Sequence, residues 1–221
     1  MISIKRLGFN FINVPKNAST SIRRFFIDNV VQPEDVFSDY YESEEETWSQ
    51  NMEIVHASQS HMDVTYAIEN GLLDPTQEIV GVVREPVERV LSLYLYRAKQ
   101  SLIVSPSIQD FRNSVTANGY FPDYPWQNQL QSSFLEYEGK EIGSWWLFDR
   151  ISDHLETFAK VHTIQVREPL RFQNRSLRDQ KTKDFVNTFY DAASLKAVHK
   201  YYEADIELYN RIKNASPNQE V

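Results

Sequence analysis

"FINVPKNASTSIRRFF", residues 11–26, and "EIVGVVREPVERVLSLY", residues 78–94, decide the fold. Each begins with a β-branched or aromatic run, breaks at a turn holding a proline and a basic residue, and continues with helical spacing. In the first, the segment from Gly8 to Val14 predicts a buried strand with Phe9, Phe11 and Ile12 inside. From about Ser19 the apolar positions Ile22, Phe25, Phe26 and Val30 form the stripe of an amphipathic helix. In the second, Glu78 to Val83 predicts a strand, and Val87, Val90, Leu91, Tyr94 and Leu95 form the next stripe beyond Pro86. Two strand–turn–helix units predict an α/β fold with a central parallel β-sheet flanked by helices.

Around these units the chain reads more coarsely. Glu42, Glu44, Glu45 and Glu46 mark a solvated acidic stretch between Gln32 and Gln50. "MEIVHASQSHMDVTYAIENGL" predicts a short strand ending near His56, a polar turn with His61, and a short helix stopped by Gly71. "SWWLFDRISDHLETFAKVHTIQV" predicts a strand, a helix and a further strand. Leu195, Val198, Tyr202, Ile206, Tyr209 and Ile212 predict a helix from about Asp191 to Lys213. No internal repeat or low-complexity linker divides the 221 residues, so a single domain over 1–221 is expected.

Composition narrows the function. With 31 acidic and 23 basic residues the formal charge is -8, which disfavours nucleic acid as the main partner and requires any anion site to be local. The chain has no cysteine, so no disulfide framework or thiolate metal site is available, and its five histidines show no zinc-pair spacing. No metal is expected. Neither a signal-peptide pattern nor a membrane-length apolar run is seen, and a cytoplasmic location is the expectation.

In an α/β sheet, ligands bind beyond the carboxyl ends of strands, where helix N-termini present unpaired N–H groups. The first turn offers Lys16, the backbone N–H groups of Asn17, Ala18, Ser19, Thr20 and Ser21, and three hydroxyls, a cradle for a phosphate-like anion. The second offers Arg84 at the strand end and Ser92 on the following helix. Neither is G-x-x-x-x-G-K-[ST], because the lysine precedes the small residues and no glycine is present.

"FINVPKNASTSI" resembles the 5′-phosphosulfate loop of sulfotransferases that use 3′-phosphoadenosine 5′-phosphosulfate (PAPS), in the carbohydrate sulfotransferase branch with its soluble bacterial relatives, where the loop commonly reads like V-P-K-T-G-G-T-S. "VVREPVERVLSLY" resembles that family's 3′-phosphate segment, V-R-D-P-x-x-R-x-x-S-x-Y, and follows about seventy residues later. The resemblance implies the P-loop-nucleotide-binding-like sulfotransferase fold and a role for each residue. Lys16 would stabilise charge on the bridging oxygen of the leaving phosphate, and Thr20, Ser21 and the helix amides would hold the 5′-phosphate. Arg84 and Ser92 would hold the 3′-phosphate. The product would be adenosine 3′,5′-bisphosphate. Where the family usually has glycines this chain has Asn17, Ala18 and Ser19. Arg89 is expected to be structural, with Glu85 and Glu88 as local partners.

In this branch the base that takes the acceptor's proton is commonly a His or Glu near the end of the strand between the two motifs. His61 occupies the matching place and is the first choice, His56 the second, with Glu53 and Asp63 as carboxylate alternatives. "YPWQNQLQSSFL" resembles the acceptor-side region, with Gln127 and Gln129 available to sugar hydroxyls. Trp126, Trp145 and Trp146 are read as core in preference to an acceptor platform. The expected activity is transfer of the sulfuryl group to a hydroxyl of a carbohydrate, glycoconjugate or other small acceptor. A kinase or phosphotransferase with a modified phosphate loop, and a non-catalytic nucleotide- or glycan-binding module, are the other two readings.

Overall fold

A computed structural model describes residues 1–30, 36–38, 54–55, 61–99, 107–120, 128–171 and 180–215. The chain forms two compact units, each discontinuous in sequence: Met1–Val82 with Ser133–Gln173, and Val83–Ser132 with Asn174–Val221.

The first unit is built on a six-stranded sheet. Its strands are β1 (Ile2–Ile4), β2 (Phe9–Phe11), β3 (Val36–Ser38), β4 (Ile54–Val55), β5 (Glu78–Val83) and, after a small ribbon of β6 (Glu136–Tyr137) and β7 (Lys140–Glu141), β8 (Ser144–Leu147). Their order is β4-β3-β1-β2-β5-β8. β2 pairs parallel with β5, with Phe11 opposite Val80, and β3 pairs parallel with β4. β1 runs antiparallel to both β2 and β3, so among β1–β5 it alone is reversed. The parallel-rich α/β sheet expected from the sequence is therefore present, with one reversed strand that the sequence reading did not single out. Three residues are too few for a periodic pattern. The reversal is made by a short 3-10 turn at Lys5–Leu7 that ends on Gly8, whose φ of 62 a glycine adopts without steric cost.

Helices α1 (Ser19–Asn29), α2 (Val64–Glu69) and, beyond α3 (Pro86–Lys99) and α4 (Ile108–Asn118), α5 (Ile151–Val161) follow the apolar stripes. Ile22, Phe25, Phe26 and Val30 are all buried, as the spacing predicts, and pack with Phe9, Phe11, Val80 and Val82 of the sheet and Ile151, Leu155 and Phe158 of α5. The Phe9 ring lies 4.5 Å from that of Phe158 and 5.6 Å from that of Phe26. Gly81 admits another aromatic, for a Cβ there would meet Cζ3 of Trp145 at 2.8 Å. Trp145 is buried, and Trp146 stacks on His154 with ring centroids 5.6 Å apart, so both tryptophans are core residues.

The further strand expected after α5 does not form. Thr163 turns into the left-handed region (φ 55), and the Asn29 side chain takes the N–H groups of Arg167 and Glu168 at 2.7 and 3.0 Å while donating to the Glu168 carbonyl. Those backbone groups are satisfied at the end of α1, not in a sheet ladder.

The second unit is helical. α3 buries Val87, Val90, Leu91, Leu93 and Tyr94 against Phe111 and Val115 of α4 and against residues of α6 (Gln180–Phe189), α7 (Ala192–Tyr201) and the segments that follow them. Tyr94 also organises the start of α4: its hydroxyl accepts from Ser107 N–H at 2.7 Å and lies 2.8 Å from the Ser107 carbonyl. The Ser107 side chain caps α4 by accepting from Asp110 N–H. The single C-terminal helix expected from Asp191 to Lys213 is two, α7 and α8 (Glu203–Ala215), broken at Tyr202. Three residues beyond the break, the fully buried Asp205 is bonded to residues 131 and 132.

Candidate functional site

The turn after β2 is the most unusual backbone in the first unit. Ile12 still donates to Val80 at 2.8 Å, extending the β2–β5 ladder, and then Val14 and Pro15 lead into a turn where Lys16 (φ 67) and Ala18 (φ 62) both occupy the left-handed region. For a residue with a Cβ this conformation costs about 1–2 kcal/mol. Asn17, between them, is buried and its side-chain amide donates to the Val82 carbonyl at 2.5 Å. The turn is thus tied to the end of β5, and Asn17 reaches inward, not toward a ligand.

Ala18 is the N-cap of α1 and accepts from Ile22 N–H through its carbonyl, but it has no side-chain oxygen with which to cap the helix. The amides of Ser19, Thr20 and Ser21 form the first turn, where helix N–H groups lack intrahelical partners. Ser19 and Lys16 are half-buried, Thr20 is exposed and Ser21 is buried. Left-handed backbone just ahead of a helix N-terminus is a setting in which successive N–H groups bind anions. Lys16 adds a full positive charge to it.

His61 belongs to the same unit. Its Nδ1 is 2.9 Å from the Asn13 carbonyl. A carbonyl only accepts, so Nδ1 carries the hydrogen and in the neutral ring the lone pair is on Nε2. Burial lowers the pKa to about 4; the Asn13 hydrogen bond opposes this, while the positive charges of the chain's N-terminus, Arg23 and Lys16 add to it. The imidazole is therefore neutral at physiological pH and electrostatically coupled to Lys16. Asp63, a carboxylate alternative, is occupied as the N-cap of α2, accepting from Tyr66 N–H at 2.9 Å. His56, Glu53, Gln127 and Trp126 lie outside the described residues.

The turn after β5 is built differently. Glu85 accepts from Glu88 N–H at 2.7 Å, so the start of α3 has a side-chain carboxylate on it and amide-based anion binding is blocked there. What this turn offers is side chains. Arg84 is buried, with Nη2 3.6 Å from a Glu88 carboxylate oxygen, and Ser92, buried one helical turn beyond Glu88, lies on the same face of α3. Arg89 also has partners far from it in sequence. Its Nη1 is 3.6 Å from the buried Asp205 carboxylate and its Nη2 donates to the Gln129 carbonyl at 3.1 Å. Gln129, expected to face an acceptor, thus has its main chain engaged by Arg89.

Three participants escaped sequence reading: Arg23, whose charge reaches His61, and the buried pair Gln131 and Asp205. Arg23 sits among the buried positions of α1, next to Ile22 in the apolar stripe. A charge there was a legible signal.

A parallel-rich sheet flanked by helices, with strand–turn–helix units after β2 and β5, defines the class of the fold as α/β. The sequence matches the Sulfotransferase family over residues 2–160, a span that includes both turns and His61. The chain belongs to the sulfotransferase family and is an enzyme, a transferase. A crystal structure of a sulfotransferase from Alicyclobacillus acidocaldarius aligns with 94% of this chain and 100% of its own at 13% identity and a TM-score of 0.45. No curated protein matches the sequence significantly. Among the described residues no helix is long and apolar enough to cross a membrane.

Two predictions follow from the turn and from His61. Ala18→Gly removes the left-handed penalty at the N-cap, partly offset by the flexibility of glycine in the unfolded chain, and should raise stability in urea unfolding by about 0.5–1 kcal/mol; an unchanged or lowered stability contradicts the strain. For His61 the folded pKa is below the unfolded value near 6.5. As pH falls from about 6.5 toward 4, the unfolded chain takes up a proton that the folded chain refuses, and stability falls by up to about 3 kcal/mol. His61→Asn should lose this component, so the wild-type and variant stability curves should converge or cross on acidification through that window; parallel curves would contradict the assignment.

Proposed function

We propose that the enzyme transfers the sulfuryl group of PAPS to a hydroxyl of a carbohydrate, glycoconjugate or other small acceptor, as one sulfotransferase domain over residues 1–221. The observation that supports this most is the left-handed backbone of Lys16 and Ala18 at the start of α1, whose N-cap residue has no side-chain cap, a setting suited to a tetrahedral oxyanion. PAPS supplies the activated sulfuryl group. The amides of Ser19, Thr20 and Ser21, with the Thr20 and Ser21 hydroxyls, bind its 5′-phosphate, and Arg84 and Ser92 bind its 3′-phosphate.

Catalysis rests on placement and charge. Lys16 holds positive charge where the leaving phosphate oxygen becomes more negative. His61, fixed by Asn13 in the tautomer with its lone pair on Nε2, accepts the proton of the attacking hydroxyl there. Negative charge brought by the donor opposes the field of Lys16 and Arg23, which raises the basicity of His61 from its low resting value. Neutral His61 avoids adding a second cation beside Lys16 before the reaction. A cytoplasmic location belongs to the same proposal.

The test is sulfuryl transfer from PAPS to a panel of hydroxyl acceptors, read by mass spectrometry. Lys16→Ala and His61→Ala should each lower turnover by about 10²-fold or more, with adenosine 3′,5′-bisphosphate still bound. Full activity in either variant removes that residue from the mechanism. Phosphoryl transfer from ATP with Mg²⁺, in place of sulfuryl transfer, replaces the proposal with the kinase reading; binding of nucleotide or glycan without turnover replaces it with the binding module.

A further inference from the structure

Arg84 is held by more than its own strand. Its backbone N–H donates to Oε1 of Gln131 at 2.9 Å and its carbonyl accepts from Nε2 of Gln131 at 3.0 Å, so one side-chain amide closes on both polar groups of one residue, in the manner of a neighbouring strand. Gln131 is fully buried. It is fixed in turn by Asp205, whose Oδ2 accepts from Gln131 N–H at 2.9 Å and whose Oδ1 accepts from Ser132 N–H at 3.0 Å. Asp205 is also fully buried, and its charge is balanced by Arg89, with 3.6 Å between Nη1 and Oδ2. The Arg89 guanidinium is itself located by the Gln129 carbonyl and by the Tyr202 ring, 5.9 Å from its centroid.

This is an expensive arrangement for the fold alone. Two buried charges and a buried amide cost desolvation that well-packed apolar side chains would avoid. What the network defines is the φ/ψ setting of a single residue, Arg84, and hence the direction in which its guanidinium leaves the end of β5. A bidentate contact between guanidinium and phosphate depends on that direction more than on the presence of charge.

We propose that Gln131, fixed by Asp205 and Arg89, is a positioning residue that sets Arg84 for recognition of the 3′-phosphate, and so determines selectivity for 3′-phosphorylated nucleotides. The inference rests on the assignment of Arg84 to that phosphate. Its signature is a ratio: the affinity for adenosine 3′,5′-bisphosphate divided by that for adenosine 5′-monophosphate. A general loss of structure lowers both affinities or the melting temperature, whereas loss of positioning lowers the ratio.

Calorimetric titration of the full chain with both nucleotides provides the test. The wild type should favour the bisphosphate, Arg84→Ala should abolish most of that preference, and Gln131→Met, which preserves side-chain length without the amide, should lower it about tenfold while leaving 5′-monophosphate affinity within about twofold. If Gln131→Met does not fold, Gln131→Glu, which keeps an acceptor for the Arg84 N–H and loses the donor to its carbonyl, should lower the ratio at least about threefold. A wild type without preference, or an Arg84→Ala variant that keeps it, overturns the assignment of Arg84 itself. A preference abolished by Arg84→Ala but unchanged in the folded Gln131 variant overturns the positioning role and leaves Arg84 in place.

Discussion

The hydrogen bond from the Asn17 side chain to the Val82 carbonyl is the contact on which the reading of this molecule depends. It joins the turn after β2 to the end of β5, and the two left-handed residues that flank it, Lys16 and Ala18, have their backbone directions set by a buried anchor between them. An extended strand that must become a helix within a few residues has few ways to do so. With glycine the turn would be easy; with lysine and alanine it is strained, and strain of this kind persists where the surrounding structure over-determines it. The result is a helix whose N-cap residue has no side-chain cap, two residues after Lys16.

The two turns are built by opposite means. The first starts its helix at Ala18, whose side chain cannot cap, next to Lys16. The second places the Glu85 carboxylate on the Glu88 N–H and carries the Arg84 and Ser92 side chains, which the proposal assigns to a phosphate. Amides at a helix start surround a tetrahedral group closely, while a guanidinium set by its own backbone reads a group by direction. A chain with net charge -8 needs both devices to be local, since its overall field repels anions. His61 fits the same economy of charge: burial, first, and neighbouring cations keep it neutral, so it adds no positive group to the unit.

Much of this was legible in the sequence, and the limits have physical reasons. The strand Glu78–Val83 and the helices starting at Ser19 and Pro86 were readable because long apolar stripes and a proline punctuate them. β1 escaped because three residues carry no period, and the C-terminal helix was read as continuous because its apolar spacing persists through Tyr202, where the helix breaks. Lys16, Arg84 and Ser92 were singled out by their order along the chain, and their roles belong to the proposal. Gln131, Arg89 and Asp205 could not be, since their meaning lies in contacts between residues more than 40 positions apart or, for Gln131 and Asp205, 74 apart. The Asn17 side chain was equally illegible: its tie to the Val82 carbonyl joins positions 65 apart.

Sulfotransferase membership follows from the family match, and the donor is the claim that gives the remaining residues their roles. The most direct measurement is a calorimetric titration of the wild-type chain with adenosine 3′,5′-bisphosphate, set against ATP with Mg²⁺. The account predicts tight 1:1 binding of the bisphosphate that Lys16→Ala weakens and that needs no added metal, with ATP much weaker. Preferential binding of ATP, dependent on Mg²⁺, would contradict it.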